Sequence, residues 1–415
     1  MAVDIEVHID LEGVVRRVGT LYAPDRGRAP IAFEYHATWL EDPARFSLEP
    51  ALALDRGAFA PGHGLTLFGS IGDSAPDTWG RRLMQRRERR SAQREGRAVR
   101  TLGELDYLLG VSDIARLGAL RFRNAADGRF QAPIESGVPG YLELGRLLSI
   151  TERIARDEDS DEDLQIIFAP GSSLGGARPK ASVVDQQGHL AIAKFAKADD
   201  DYRIELWEHV ALDLAQAAGI RTSEHQLREV AGKSVLLSRR FDRRDGQRIP
   251  FLSALSMLGL RDGQRASYPE LVDALTRFGA DAVVDAAELF RRMVFNILVS
   301  NVDDHLRNHG FLWSDARGWI LSPVYDLNPT PVDMKPRILS TAIDIDDATC
   351  DIGLAQSVAG YFGMAAREAD DIIRQVAKVV AAWRGVARMA GAGAAEIARM
   401  VSAFEHDDLE RALRL

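Results

Sequence analysis

Apolar and polar residues alternate along VDIEVHIDLEGVVRRVGTLYAP (3–24) and resume in IAFEYH (31–36). Period-two alternation interrupted by glycine and proline predicts strands joined by hairpins. The pattern then changes to a helical one over DTWGRRLMQRRERRSAQREGRAVR (77–100), which holds nine arginines. An acidic run, ARDEDSDED (155–163), reads as an exposed loop or helix end. After it comes LQIIFAPGSSLGGARPKASVVDQQGHLAIAKF. It predicts a strand or helix end, a glycine-rich loop, a strand over Ala181–Val184, a turn at Gln187-Gly188 and a strand over Leu190–Phe195. Leu206, Val210, Leu214 and Ala217 share one face of a helix that Gly219 stops. HQLREVAGKSVLLSRRF (225–241) reads as a hairpin turning at Ala231–Lys233, and from about residue 265 the pattern is largely helical. No internal repeat or low-complexity segment interrupts it.

The length, 415 residues, suits two or three domains. A hydrophobic content of 46% predicts a sizeable core, and a net charge of −9 argues against nonspecific nucleic-acid binding as the main activity. The arginine run is the local exception, either a solvated helix face or a surface for DNA or an acidic partner. Cys350 is the single cysteine, so neither an internal disulfide nor a cysteine-rich zinc site can form, as is ordinary in a reducing compartment. The opening MAVDIEVHIDLEG has no basic flank or apolar signal core, and no uncharged run approaches the ~18–20 residues of a membrane span. The expectation is a soluble, cytoplasmic protein.

Chemistry concentrates in NILVSNVDDHLRNHGFLW (296–313). Asp303 and Asn308 have the spacing of the aspartate and asparagine in the protein-kinase catalytic loop, where the first engages the substrate hydroxyl and the second binds magnesium. A hairpin with a five-residue loop, GFLW-SDARG-WIL, then leads to SPVYDLNPT, where Asp326 offers a second oxygen ligand to magnesium. Two other readings stand beside this one. His305 and His309, four apart, could ligate a metal from one helix face, although the glutamate of H-E-x-x-H is missing. Alternatively Asn301 or Asp303 caps a helix and His305 is a hydrogen-bonded core residue.

Upstream, GSSLGGARPK (171–180) brings Ser172, Ser173, Gly175 and Gly176 into a loop whose backbone can approach phosphate oxygens, or into a plain surface turn. Lys194, on the strand LAIAKF, either points outward or reaches nucleotide phosphates, with Glu208 or Glu205 on the next helix as its partner. The order along the chain is that of a two-lobed kinase: glycine loop, strand lysine, helix glutamate, aspartate–asparagine loop, second aspartate.

Five segments together resemble the HipA family of serine/threonine kinase toxins from type II toxin–antitoxin modules: DSAPDTWGRRLMQR (73–86), GSSLGGARPKA (171–181), LLSRRFDRR (236–244), SNVDDHLRNHGF (300–311) and LSPVYDLNPT (321–330). The resemblance implies an α+β, protein-kinase-like two-lobed fold. Its parts would be a β-rich N-terminal subdomain (1–125), a nucleotide-binding N-lobe (126–250) and a helical C-terminal lobe (251–415). It implies ATP and Mg²⁺ as cofactors, Asp303 as the catalytic aspartate and Asn308 and Asp326 as the metal ligands. Lys194 and Lys180 would lie near the nucleotide phosphates, backbone groups around Arg239 and Phe241 would hold the adenine, and Asp242 would lie close to the ribose. His305 is counted with the residues around the nucleotide. Ser173, with Ser172 as its rival, falls at the family's autophosphorylated serine. A phosphate there adds ~1.5–2 negative charges to a loop shaped for ATP and should silence the enzyme. Pro179, which removes an N–H donor, departs from the best-known members of the family.

The implied partners are a HipB-like helix-turn-helix antitoxin, operator DNA mainly through that antitoxin, and a protein substrate, expected to be an aminoacyl-tRNA synthetase. The alternatives are a HipA-like kinase acting on another substrate outside a toxin module, or a nucleotide-binding co-repressor without phosphotransfer.

Overall fold

A computed structural model describes residues 3–23, 31–124, 128–132, 138–168, 176–197, 199–314 and 318–415. The chain divides into two compact units, Met1–Asp199 with Glu229–Arg261, and Asp200–Arg228 with Asp262–Leu415.

In the first unit the N-terminal alternation becomes an antiparallel sheet of order β4-β3-β2-β1-β5. Its strands are β1 (Val3–Leu11), β2 (Val14–Ala23), β3 (Ala32–Tyr35), β4 (Ala58–Phe59) and β5 (Leu120–Asn124). Leu11 pairs with Val14 across Glu12-Gly13, both at positive φ, as a two-residue primed turn requires. Ile5, Val7 and Ile9 are fully buried on one face. The other face is polar but also covered: Glu6 accepts a 2.7 Å bond from Arg123 and lies 3.1 Å from His8.

A second antiparallel sheet of the same unit contains β6 (Lys180–Val184), β7 (Leu190–Phe195) and β9 (Lys233–Arg239). β7 is central, paired with β6 on one side and β9 on the other. Gly188 (φ 83°) makes the predicted turn, and Asp185 accepts from the N–H groups of Gln187 and His189. β8 (His225–Val230) precedes Ala231-Gly232, both at positive φ, where the hairpin turn was expected. Ala181, Val183, Ala191, Ala193, Phe195, Val235 and Leu237 form one face of this sheet. They pack with Trp79 and Leu83 of helix Thr78–Arg94, with Leu147 and Leu148 of helix Leu144–Ala155, and with Leu164 of helix Asp161–Phe168. The opposite face, by strand alternation, carries Lys180, Ser182 and Lys194.

The arginine helix and the acidic run, separate features in the sequence, are partners in the structure. Arg86 pairs with Asp157 and Asp159, Arg90 with Asp159 and Asp161, and Arg94 with Asp161. Arg81 binds Glu104, Arg97 binds Glu88 and Glu95, and Arg100 binds Asp106. Six of the nine arginines thus face carboxylates of their own chain, which favours an internally neutralised helix over an open DNA-binding stripe.

The second unit is mainly helical. Helix Ile204–Ala217 ends, as predicted, just before Gly219 at φ 79°. Its Trp207 lies 6.0 Å from Trp383, which stacks on Phe404 at 4.6 Å. Helix Ala282–Leu298 is the buried axis of the unit, with Leu289, Phe290, Met293, Val294, Ile297 and Leu298 fully buried. The expected hairpin pairs Trp313 with Trp319. Beyond it the helical expectation fails: 322–350 form no helix or strand. Pro323, Pro329, Pro331 and Pro336 explain this, since each removes a backbone donor and disfavours helix at the residue before it.

Candidate active site

The buried helix Ala282–Leu298 stops where Ser300 adopts φ 52°, a left-handed turn that delivers the polar loop. The loop is not helical, so His305 and His309 do not share a helix face and the two-histidine metal reading loses its geometric basis. Asp303 is exposed, its side chain 52% accessible, with Lys335 Nζ 3.3 Å from Oδ1. Asn308 is buried and donates through Nδ2 to the Asp303 carbonyl at 3.0 Å. That bond fixes the amide, and its other end, Oδ1, is buried with no hydrogen-bond partner among the described residues. A buried, unsatisfied carbonyl oxygen costs on the order of 1–3 kcal/mol, a cost that a bound cation would remove. Oxygen donors of this kind suit magnesium, so the residues present fit the expected ion.

Asp326 sits in the irregular segment at φ 61°. Asn328 Nδ2 donates to its Oδ1 at 3.1 Å and to its carbonyl at 3.2 Å. A small recess is lined by Asn301, Asp304, Asn308 and His309, together with Tyr325 and Leu327, the two neighbours of Asp326.

Sequence reasoning assigned no role to Asp304 or His309, yet they anchor the loop. Asp304, 2% exposed, accepts from Tyr268 Oη and lies 2.8 Å from His309 Nε2. Its backbone carbonyl accepts from Thr341 Oγ1 at 2.6 Å. Asn296 Nδ2 donates to Tyr268 Oη, Asn301 Nδ2 donates to Asn296 Oδ1, and Asn301 Oδ1 accepts from Asn328 N, each at 3.0 Å. An unbroken chain of hydrogen bonds therefore runs from Asp304 to Asp326. The His305 Nδ1 is buried with no hydrogen-bond partner among the described residues, while its backbone carbonyl accepts from Asn308 N at 2.7 Å. No local signal marks these residues, because their partners lie up to 37 positions apart.

The start of the loop is held by the far end of the chain. Ser300 Oγ donates to the Ala403 carbonyl at 2.8 Å, His406 Nε2 lies 3.2 Å from the Leu298 carbonyl, and Arg337 joins Ser300 to Asp408.

In the first unit Lys194 is half-buried on the central strand, directly opposite Lys180. Two lysines facing each other repel. Asp77 offsets that repulsion: its Oδ2 lies 2.6 Å from Lys180 Nζ, with side chains 7% and 1% exposed. Asp77 also caps helix Thr78–Arg94, and Trp79 Nε1 donates to the Lys180 carbonyl at 3.1 Å. Lys180 is thus committed to a buried ion pair. Trp79, Gly80 and Arg81, within the DSAPDTWGRRLMQR segment, thus have structural roles, with Arg81 making a bidentate bond to Glu104.

Arg239 pairs with Ala191 in the sheet, and the half-buried Phe241 lies 6.0 Å from Phe251. Asp242, expected near the ribose, is placed differently. It is fully buried, and its carboxylate is taken up by Arg240, Arg243 and the Gly118 N–H. A ribose contact would need an exposed oxygen, which this side chain does not offer. Burial pushes its pKa up, but the two guanidinium charges and the hydrogen bonds outweigh burial and hold it at about 2. Glu208 and Glu205 are both buried, at 3% and 1% exposure, on helix Ile204–Ala217. Gly176 is exposed at φ 99°, while Ser172, Ser173 and Gly175 lie outside the described residues.

Comparison with known proteins follows this geometry. The family described as HipA-like C-terminal domain matches residues 172–383, just over half of the chain. A Haemophilus influenzae protein named "Putative kinase" is 25% identical over 198 residues, covering 42% of this chain and 56% of the relative. "Putative kinase Y4mE" of Sinorhizobium fredii is 26% identical over 194 residues, covering 40% and 44%. The matched stretch thus takes in about half the length of these curated relatives. Among solved structures, Shewanella oneidensis HipA, determined with HipB and its operator DNA, superposes with a TM-score of 0.69 at 17% identity, over 99% of this chain and 96% of that one. That likeness establishes a shared fold. On the extent of the family match, this chain belongs to the HipA family.

Proposed function

We propose that the chain is an ATP- and Mg²⁺-dependent serine/threonine protein kinase, the toxin of a HipBA-like module. The observation that carries the reading is the pairing of an exposed Asp303 carboxylate with the buried, partnerless Asn308 Oδ1 that its own carbonyl orients. Asp303 accepts the hydrogen bond, and then the proton, of an incoming serine or threonine hydroxyl. The hydroxyl oxygen bonds to the γ-phosphorus as the bond to the bridging oxygen breaks and ADP leaves. Lys335, paired with Asp303 at 3.3 Å across an exposed surface, yields to the substrate at little cost. Asn308 and Asp326 would hold magnesium, with Asn328 fixing the Asp326 carboxylate. When bound, the ion neutralises charge on the phosphate oxygens. Lys194 would bind phosphate oxygens.

HipB and operator DNA in the Shewanella complex support a helix-turn-helix antitoxin as the partner, with DNA contacted mainly through it. The proposed substrate class is an aminoacyl-tRNA synthetase, met in the cytoplasm. Among the described residues no helix is long and apolar enough to cross a membrane. Autophosphorylation at Ser173, or Ser172, would end activity, and unchanged ATP affinity in a phosphorylated sample would refute that.

The deciding experiment is radiolabelled phosphate transfer from ATP into a cell lysate by the wild type and by Asp303→Asn. Loss of general-base catalysis predicts a fall of about 10²–10⁴-fold. As a surface substitution it should change stability by no more than about 0.5 kcal/mol. Equal transfer by both proteins refutes the proposal.

A further inference from the structure

A second group of side chains, unconnected with the kinase reading, has the composition of a transition-metal site. His209 and Asp213 lie four residues apart on helix Ile204–Ala217, and therefore on one face, and His225 begins the strand that follows. One donor atom from each lies within 4.8 Å of the others. His225 Nε2 is 2.9 Å from Asp213 Oδ1, and His209 Nε2 is 3.6 Å from Asp213 Oδ2.

The hydrogen-bond accounting at His225 is what singles out the cluster. Its Nδ1 lies 2.8 Å from the Ser223 carbonyl, which can only accept, so Nδ1 carries the ring proton. A doubly protonated ring would donate from Nε2 to the Asp213 carboxylate, whereas a neutral one sets its Nε2 lone pair against a group that also can only accept. Two acceptors at 2.9 Å need a cation between or upon them. His209 brings a second ring to the same carboxylate, 5.3 Å from the first between centroids, and its Nε2 is too far from Oδ2 for a hydrogen bond. The His209 Nδ1 is buried with no hydrogen-bond partner among the described residues.

We propose that His209, Asp213 and His225 bind a divalent transition-metal ion, with Zn²⁺ as the expected occupant. Bond lengths of about 2.0–2.1 Å in a tetrahedral set separate neighbouring donor atoms by about 3.3 Å. The two rings now face different oxygens of Asp213, 2.9 Å from Oδ1 and 3.6 Å from Oδ2, with one donor of each residue inside 4.8 Å, so metal binding requires side-chain rotation to bring one oxygen between both rings. The Ser223 carbonyl supplies the outer contact that fixes the tautomer of a ligating histidine. Two imidazoles and one carboxylate leave a fourth position for water, the pattern of an exchangeable site rather than a closed one. Magnesium is a poor match, because it prefers an all-oxygen octahedron. Bound metal would staple the start of β8 to the helix that carries Glu208, the residue directly before His209.

Cobalt(II) is the direct probe, since a low-coordinate histidine–carboxylate site gives it strong visible absorption. The full-length protein, stripped with chelator and desalted into buffer with excess Mg²⁺, is titrated with Co²⁺ and then with Zn²⁺. The expected result is saturation at one equivalent, displacement by Zn²⁺, and at least about tenfold weaker binding in His209→Ala and His225→Ala. His209 is the more exposed histidine, so His209→Ala, checked by circular dichroism, decides the matter if His225→Ala fails to fold. Absorption that is absent, or that persists unchanged in His209→Ala, overturns the site. The first outcome would assign the cation at His225 to a proton, the second would place the metal elsewhere. Neither outcome bears on phosphotransfer by Asp303.

Discussion

Replacing Asp242 with asparagine should destabilise the first unit without weakening ATP binding by the molecules that remain folded. In the folded chain this carboxyl titrates at about 2 against an ordinary 3.8. The difference corresponds to stability on the order of 2–3 kcal/mol at neutral pH. Because the folded value is the lower one, the contribution is complete above about pH 4 and disappears as the pH falls towards 2. The substitution does more than remove that contribution. It leaves the buried guanidinium groups of Arg240 and Arg243 without their counter-ion, and breaking a buried pair from one side costs about 3–5 kcal/mol. At roughly 2–4 °C per kcal/mol for a unit of this size, the melting temperature should fall by roughly 6–20 °C. Differential scanning calorimetry at pH 7.5 and at several acidic values reads both consequences. The gap between wild type and variant should be widest near neutrality and narrow below pH 4. An unchanged melting temperature together with a raised KM for ATP would return Asp242 to the ribose and refute the structural assignment.

Glu49→Gln should act in the opposite sense. Burial raises the Glu49 pKa from 4.5 to about 7, so the folded chain resists ionisation and loses stability on the order of 3 kcal/mol as the pH climbs through that interval. Glutamine still accepts from Ser70 N, so melting should rise at pH 8 and stay unchanged at pH 4.5, and equal shifts at both would contradict the reasoning. Tyr268→Phe removes the donor to Asp304 and the acceptor for Asn296. A loss of about 1–3 kcal/mol in urea unfolding is expected, and kcat should fall further than KM changes, because the loop shifts while the nucleotide still binds. Full kcat in that variant would detach the network from the loop.

What could be read from the sequence was local. Strand alternation, the turns at Gln187-Gly188 and Ala231-Gly232, and the helix ended by Gly219 all depend on neighbours within a few residues. Asp303 and Asn308 were legible for the same reason, being five apart in one loop. The supports were not legible, because each joins distant segments: Asp77 with Lys180, Gly118 with Asp242, Asn301 with Asn328. The arginine and acidic runs were each conspicuous, yet their pairing appears only when helices Thr78–Arg94 and Asp161–Phe168 come together on one sheet. The two-histidine alternative falls for a different reason. Four-residue spacing has meaning on a helix, and this segment is not one.

The bonds from Ser300, Leu298 and Arg337 to residues 403–408 set an order of events during synthesis. Asp303 leaves the ribosome roughly a hundred residues before the groups that hold its loop. At ~5–20 residues per second, that interval lasts roughly 5–20 s. Through that time the loop lacks its anchors, so a nascent chain cannot yet present an ordered aspartate. A protein proposed to arrest translation would thus become competent only after residues 403–408 have been made and have closed on the loop.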